Sequence, residues 1–443
     1  MATQTPTTTR SVNPPDSVGS GIRVRIAVGF TLIAVVASLV GLVASGGSYE
    51  PAPNGLPDSG PFVGWLLPVL GAIGFGAAMA CIGWLLLAGF LDPSAGKKVV
   101  SKRGRAAMLR ASGAAAIWCV ISLIASVFTL ANILGVDLAT AAAPGTFTTY
   151  AWDVSDVRTL LISAVLAAAV AIGAVLSVSL TGTTIWLALA LVAVAAPSTA
   201  GHAVGLGDHG LALVNSVAHA VAATLWVGGL IALGATVWPK AQTVGVAAQR
   251  FGYLAIASVV ILTASGVVDA YVRLGAPADL FTSGYGRLVV AKTLLLIALI
   301  ATAAWIRRRL LPNLDGEQPR RTFAKVAALE LTLMSIATGL GVALSLTAPT
   351  RVAVQFATQA EALLGFEFPA PPTVMSVVFG WDFDALFFVM GIAACVYYTI
   401  GVMRLRSRGD AWPVSRTICW FIGWSIVIWT TNAGIATYSE VSV

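Results

Sequence analysis

Eleven apolar stretches of about twenty residues constrain this chain most, because a hydrocarbon layer ~30 Å thick takes about 20 residues of helix at 1.5 Å per residue. They lie near 24–46, 62–90, 111–136, 159–180, 185–203, 211–237, 252–274, 288–306, 326–348, 384–403 and 417–437. In lipid each backbone amide must find its partner within its own segment, so every stretch is expected to be a helix. The fold class that follows is all-α: a polytopic integral membrane bundle of about eleven transmembrane helices. Charge agrees, since only 10% of the 443 residues are charged, against about 25% in a soluble domain. That excludes a cytosolic globular enzyme and a disordered protein. A nucleic-acid binder is excluded too, despite the net charge of +7.

Positive charge orients the bundle. Alternate connections carry Arg10, Arg23 and Arg25; Lys97, Lys98, Lys102, Arg103, Arg105 and Arg110; then Lys240 and Arg250. The set continues with Arg307, Arg308, Arg309, Arg320, Arg321 and Lys325, and closes with Arg404, Arg406, Arg408 and Arg416, which makes 21 of the 26 basic residues. By the positive-inside rule this set faces the cytoplasm, so the N-terminus is expected inside and the C-terminus outside the membrane. The expected layout is a disordered cytoplasmic tail (1–22), N-terminal spans (23–183), further spans (184–348), a Pro-rich outer loop (349–383) and two last helices (384–443). Thr181–Thr184 is expected to form the tight turn between the fourth and fifth spans. The 44 glycines favour close helix approach.

The chemistry concentrates in one place. The three histidines of the chain, His202, His209 and His219, fall within 18 residues at the outer side. His202 is expected at the outer end of the fifth span and His209 in the loop beside Asp208. His219 lies inside the sixth span, with Asn215 one turn away on the same face. Imidazole is the commonest metal ligand, and a histidine at lipid depth is costly unless it faces the bundle interior. The spacing leaves three readings open: solvated loop residues with one interhelical hydrogen bond, metal coordination, and haem ligation. Asp269 and Lys292 sit at similar depth on neighbouring spans and are expected to form a structural ion pair, with Asp269 also tuning the charge beside the histidines. Glu330 is expected to pair with the basic 307–325 connection. Cys81, Cys119, Cys395, Cys419 and Met334 form no CxxC or MxxxM pattern and read as packing. No Walker loop, dinucleotide fingerprint, HExxH or CxxCH is present, so no enzymatic activity is expected.

The segment SVAHAVAATLWVGGLIALG (Ser216–Gly234) resembles the opening of the CopD copper-resistance domain. TSGYGRLVVAKTLLL (Thr282–Leu296), WIRRRLLPNL and LELTLMSIATGLGVALSLTAP are similar to its later elements, in order. The tail, PAPPTVMSVVFGWDFDALFF followed by GVMRLRSRGDAWPVSRTICWFIGW, resembles the start of a CtaG cytochrome oxidase assembly domain. The pattern is that of CopD–CtaG fusions of actinobacteria, with 184–348 as the CopD-like part. Only the first two CtaG helices are expected in 384–443, so no metal ligand of that part is carried over. The resemblance implies copper transport or delivery from the extracytoplasmic side. Copper would be captured by His202, His209 and Asp208 and passed to His219, with Asn215 and Asp269 in support. The implied partners are membrane lipid, copper, a periplasmic copper chaperone and cytochrome oxidase, and no nucleic acid. Two alternatives stand beside it: a haem-binding redox protein, and a non-enzymatic oxidase-assembly scaffold.

Overall fold

The computed structural model describes residues 17–51, 58–92, 99–200, 209–237, 242–274, 276–305, 308–309, 317–350, 381–383 and 435–437. Among the described residues, nine helices are long and apolar enough to cross a membrane. They are α1 (Ser17–Ser45), α2 (Pro61–Leu86, running on through a π turn at Leu87–Leu91), α3 (Lys102–Leu134) and α6 (Ser155–Leu176). The others are α7 (Leu180–Ala195), α8 (His209–Val237), α9 (Gln242–Arg273), α11 (Gly284–Trp305) and α12 (Glu317–Leu346). Three short helices lie in connections: α4 (Leu138–Ala142), α5 (Pro144–Tyr150) and α10 (Asp279–Thr282). The chain is a multi-pass plasma-membrane protein. The two last expected spans, 384–403 and 417–437, lie outside the described residues except at 435–437. There the backbone is extended: β2 (Ile435–Thr437) pairs antiparallel with β1 (Trp381–Phe383).

Polar caps set helix ends that hydropathy misplaces. Ser101 Oγ accepts from Gly104 N (2.9 Å), so α3 starts nine residues before its apolar stretch. Gly135, at φ 63, closes the same helix in the left-handed conformation that glycine tolerates. Ser179 Oγ accepts from Gly182 N (3.0 Å) and opens α7. The turn between the fourth and fifth spans is therefore Ser177–Ser179, and Thr181–Thr184 belong to the first turns of α7.

α2 is central and touches α1, α3, α7, α8 and α12, while α8 packs on α2, α7, α9 and α12. The largest core cluster draws on α2, α3, α6, α7, α8 and α9, with Leu299 of α11 and Met334 of α12. Gly228 of α8 and Gly83 of α2 meet backbone to backbone: a β-carbon on Gly83 would collide with Gly228 O, and one on Gly228 with Met79 O. The adjacent Gly229 admits the ring of Phe251 from α9. Two successive glycines thus seat α8 against two neighbours at once, the close approach that supplies van der Waals contact where the hydrophobic effect is silent. Outward, α1 exposes Val28, Leu32, Val36, Val40 and Val43 at helical spacing, a face suited to acyl chains.

Basic side chains gather at one end. Arg105 donates to Ser177 O (2.8 Å) and Ala174 O (3.4 Å), covering the last carbonyls of α6. Arg250 donates to Phe90 O (3.1 Å) and Asp92 O (3.3 Å) at the end of α2, and Val100 N donates to Val178 O (3.1 Å). At the opposite, far end, Ser45 and Thr347 hydroxyls meet at 2.9 Å, and Arg287 reaches Ala44 O at 3.2 Å.

Candidate functional site

The α8–α9 contact in the far half of the bundle carries a polar cluster inside otherwise apolar helices. Asn215 Nδ2 donates to Ser265 O at 2.7 Å, clamping α8 to α9 through side chain and backbone. One turn deeper, His219 Nδ1 lies 2.8 Å from Ser265 Oγ. The same hydroxyl lies 3.2 Å from Leu262 O, within reach as a donor. Toward the imidazole Ser265 Oγ donates or accepts according to the ring tautomer. With Nδ1 engaged by Ser265, Nε2 is the other ring nitrogen through which a neutral imidazole can bind metal.

Above Ser265, at four-residue intervals on one face of α9, stand Asp269 and Arg273. Arg273 Nη2 is 3.7 Å from Asp269 Oδ1 and donates to Ser216 Oγ of α8 at 3.2 Å. Asp269 Oδ1 is buried and has no hydrogen-bond donor among the described residues. From α11, the buried Tyr285 lies in the field of both Asp269 and Arg273. Lys292, on the same helix, interacts electrostatically with Asp269, Arg273 and His219. A β-carbon on Gly341 of α12 would stand 3.4 Å from Lys292 Nζ, so the ammonium lies along the α12 backbone. Beside the expected Asp269–Lys292 pairing, Arg273 takes the nearer place. Within 4 Å the carboxylate pairs with Arg273, because an i,i+4 neighbour on its own helix reaches it before the amine of α11 does. Lys292 remains a longer-range partner.

The histidines separate along the chain. His209 is the first residue of α8 rather than a loop residue. Ten residues then part it from His219, about 15 Å of helix axis, too far for one ion to bind both. That spacing suits two successive stations. His202 and Asp208 lie outside the described residues, as does the side chain of His209. Among the described residues no three His, Cys, Asp or Glu side chains group as a metal cage. Glu330 is buried in α12, while most side chains of the 307–325 connection lie outside the described residues. Cys81 is fully buried and Cys119 half-buried, both as free thiols; Cys395 and Cys419 lie outside the described residues. Ser265 and Ser216 were not evident from residue type. Their signal was position, since 265, 269 and 273 make a polar stripe in an apolar helix.

The profile of Copper resistance protein D matches residues 245–344, and that of the cytochrome c oxidase caa3 assembly factor matches 396–443. The two matches follow one another in the order of a CopD–CtaG fusion. The CopD match covers Ser265, Asp269, Arg273, Tyr285, Lys292 and Glu330 but begins after the three histidines. Curated relatives are an uncharacterized protein of Mycobacterium bovis and one of Mycobacterium tuberculosis. Each is 27% identical over 442 residues, covering 98% of this chain. An uncharacterized protein of Mycobacterium leprae is 33% identical over 94 residues, 21% of this chain and 14% of its own. The chain spans 63% of the length of the first two relatives. No solved structure matches it significantly. The two profile matches support a copper-related or oxidase-assembly role at the membrane.

Proposed function

We propose that this chain carries copper from the extracytoplasmic side of the plasma membrane inward, as a transport or delivery protein rather than an enzyme. The observation that carries the proposal is the contact between Ser265 and His219. Ser265 Oγ stands 2.8 Å from Nδ1, which orients the ring inside the bundle and leaves Nε2 as its other nitrogen. His202, His209 and Asp208 supply the outer station, and Asn215 holds α8 in register with α9. Asp269 offsets the positive charge of Arg273 and Lys292, so that a cation at His219 does not face two uncompensated side chains. The basic end is the cytoplasmic one by the positive-inside rule, and copper enters from the far end.

The test is His219→Ala in the full chain, read by copper bound to purified protein and by cellular copper accumulation. Both are expected to fall; unchanged values in both would overturn the proposal. A second reading, a scaffold in oxidase assembly, is favoured by the match at 396–443. It predicts co-purification with the oxidase and normal copper content in the His219 variant. A haem-binding role would require a Soret band in the purified chain.

A further inference from the structure

Arginines at the basic end divide into two kinds. Arg105 and Arg250 turn inward onto backbone carbonyls at the ends of α6 and α2. Arg110 is exposed instead, and its Cζ lies over the Trp84 ring of α2, 4.8 Å from the ring centre. Ala106, Arg110, Gly113, Ile117, Val120 and Ile124 follow one another in steps of three and four residues. All six are exposed, so they form one outward column on α3. A β-carbon on Gly113 would meet nothing within 4 Å, which leaves an open notch one turn deeper than Arg110. From Arg110 to Asn132, which meets Ser59 at the far end, the α3 axis advances about 33 Å. The hydrocarbon layer is ~30 Å thick, so Arg110 stands at its boundary on the basic side, near the level of the headgroup phosphates.

We propose that this column is a binding site for an anionic phospholipid of the cytoplasmic leaflet. The headgroup phosphate accepts hydrogen bonds from Arg110, the glycerol region fills the notch at Gly113, and an acyl chain lies along Ile117, Val120 and Ile124. Charge complementarity chooses the occupant. A cation beside the hydrocarbon is costly until an opposite charge or water meets it, and basic side chains at this surface attract anionic lipid. The guanidinium fork matches two phosphate oxygens with parallel N–H donors. The face of Trp84 holds that fork at the boundary by cation–π attraction. A zwitterionic lipid offers the same phosphate but brings its own cation, so the preference that Arg110 adds is for a headgroup of net negative charge. The site is independent of the copper reading, since it lies on the α2–α3 side of the bundle and His219 at the α8–α9 contact.

The test uses the full chain in phosphatidylcholine liposomes that contain brominated phosphatidylglycerol or brominated phosphatidylcholine. Bromine on the acyl chains quenches nearby indoles, and the share of Trp84 is the difference from Trp84→Phe, which keeps an aromatic face under Arg110. At this site phosphatidylglycerol is expected to bind about fivefold more tightly than phosphatidylcholine, the scale of one basic residue at an anionic surface. Arg110→Gln should bring that ratio to about one. Gly113→Leu, which fills the notch, should weaken phosphatidylglycerol binding. Both side chains are exposed, so the packing of the bundle is left intact. Lys102→Gln, exposed at the same end but off the column, should leave the ratio unchanged. Equal binding of the two lipids by the wild-type chain, or an unchanged ratio in Arg110→Gln, would overturn the site. An equal loss in Lys102→Gln would overturn it too, because diffuse surface charge would then suffice. Unaltered phosphatidylglycerol binding in Gly113→Leu would refute the placement of the lipid along this column.

Discussion

Ser265→Ala isolates the contact on which the histidine reading depends. The substitution deletes one oxygen and leaves the α8–α9 clamp in place, because Asn215 donates to the Ser265 backbone carbonyl rather than to its hydroxyl. What is lost is the hydroxyl 2.8 Å from His219 Nδ1. Leaving that buried ring nitrogen without a partner costs about 1–3 kcal/mol. The orienting partner of a metal-bound imidazole is worth 10–100-fold in affinity, or about 1.4–2.7 kcal/mol. Two independent routes therefore reach the same range. The assay is copper affinity by competition with a chelator, paired with reversible unfolding in mixed micelles. Stability should fall by about 1–3 kcal/mol in the wild-type background and by under about 0.5 kcal/mol in His219→Ala, where the contact no longer exists. Wild-type copper affinity in Ser265→Ala would refute the reasoning, as would an equal stability cost in both backgrounds.

Four further outcomes follow from the packing and the caps. Gly228→Ala puts a β-carbon against Met79 O and 3.0 Å from Gly83 N, both rigid backbone, and should destabilise the bundle in micelle unfolding by about 1–3 kcal/mol. Gly113→Ala, with nothing within 4 Å, should be neutral or slightly stabilising. Arg105→Ala uncovers Ser177 O and Ala174 O and should cost about 1 kcal/mol, seen as faster proteolysis at the Ser177–Ser179 turn; lysine, which lacks the guanidinium fork, should not restore it. At the outer turn, hydrogen bonds from the Thr140 hydroxyl and amide hold the Asp137 carboxyl below 3.8. The ionised cap therefore stabilises α4 fully above 3.8, and that contribution disappears as pH falls through the lower folded value. Thr140 amide protection should persist at about pH 5 and drop only in stronger acid; loss near pH 6 would contradict the cap.

The candidate site was half legible in the sequence. His219, Asn215, Asp269 and Lys292 stood out because each is costly at lipid depth, and cost is a property of residue type alone. Which of them touch was not legible. Asp269 pairs with Arg273 because i,i+4 geometry on α9 favours the nearer partner, and His219 meets Ser265, a residue too common in membrane helices to draw notice. The turn at Ser177–Ser179 was misplaced because hydropathy records where apolar side chains stop, whereas a helix starts where a hydroxyl caps its amides.

By itself, the amino-acid sequence determined that this protein is helical and embedded in lipid. Chain length per crossing and the penalty for unpaired amides act locally on every segment. Its skewed basic residues likewise implied an orientation without any contact being known. Only the tertiary structure decided that Gly228 and Gly229 seat α8 between α2 and α9. It alone decided that His219 meets Ser265, and that Met79 faces Thr338 from a helix 259 residues distant in sequence. Those outcomes depend on which helix faces meet. In lipid, where apolar surfaces are interchangeable, close packing and a few hydrogen bonds choose the pairing.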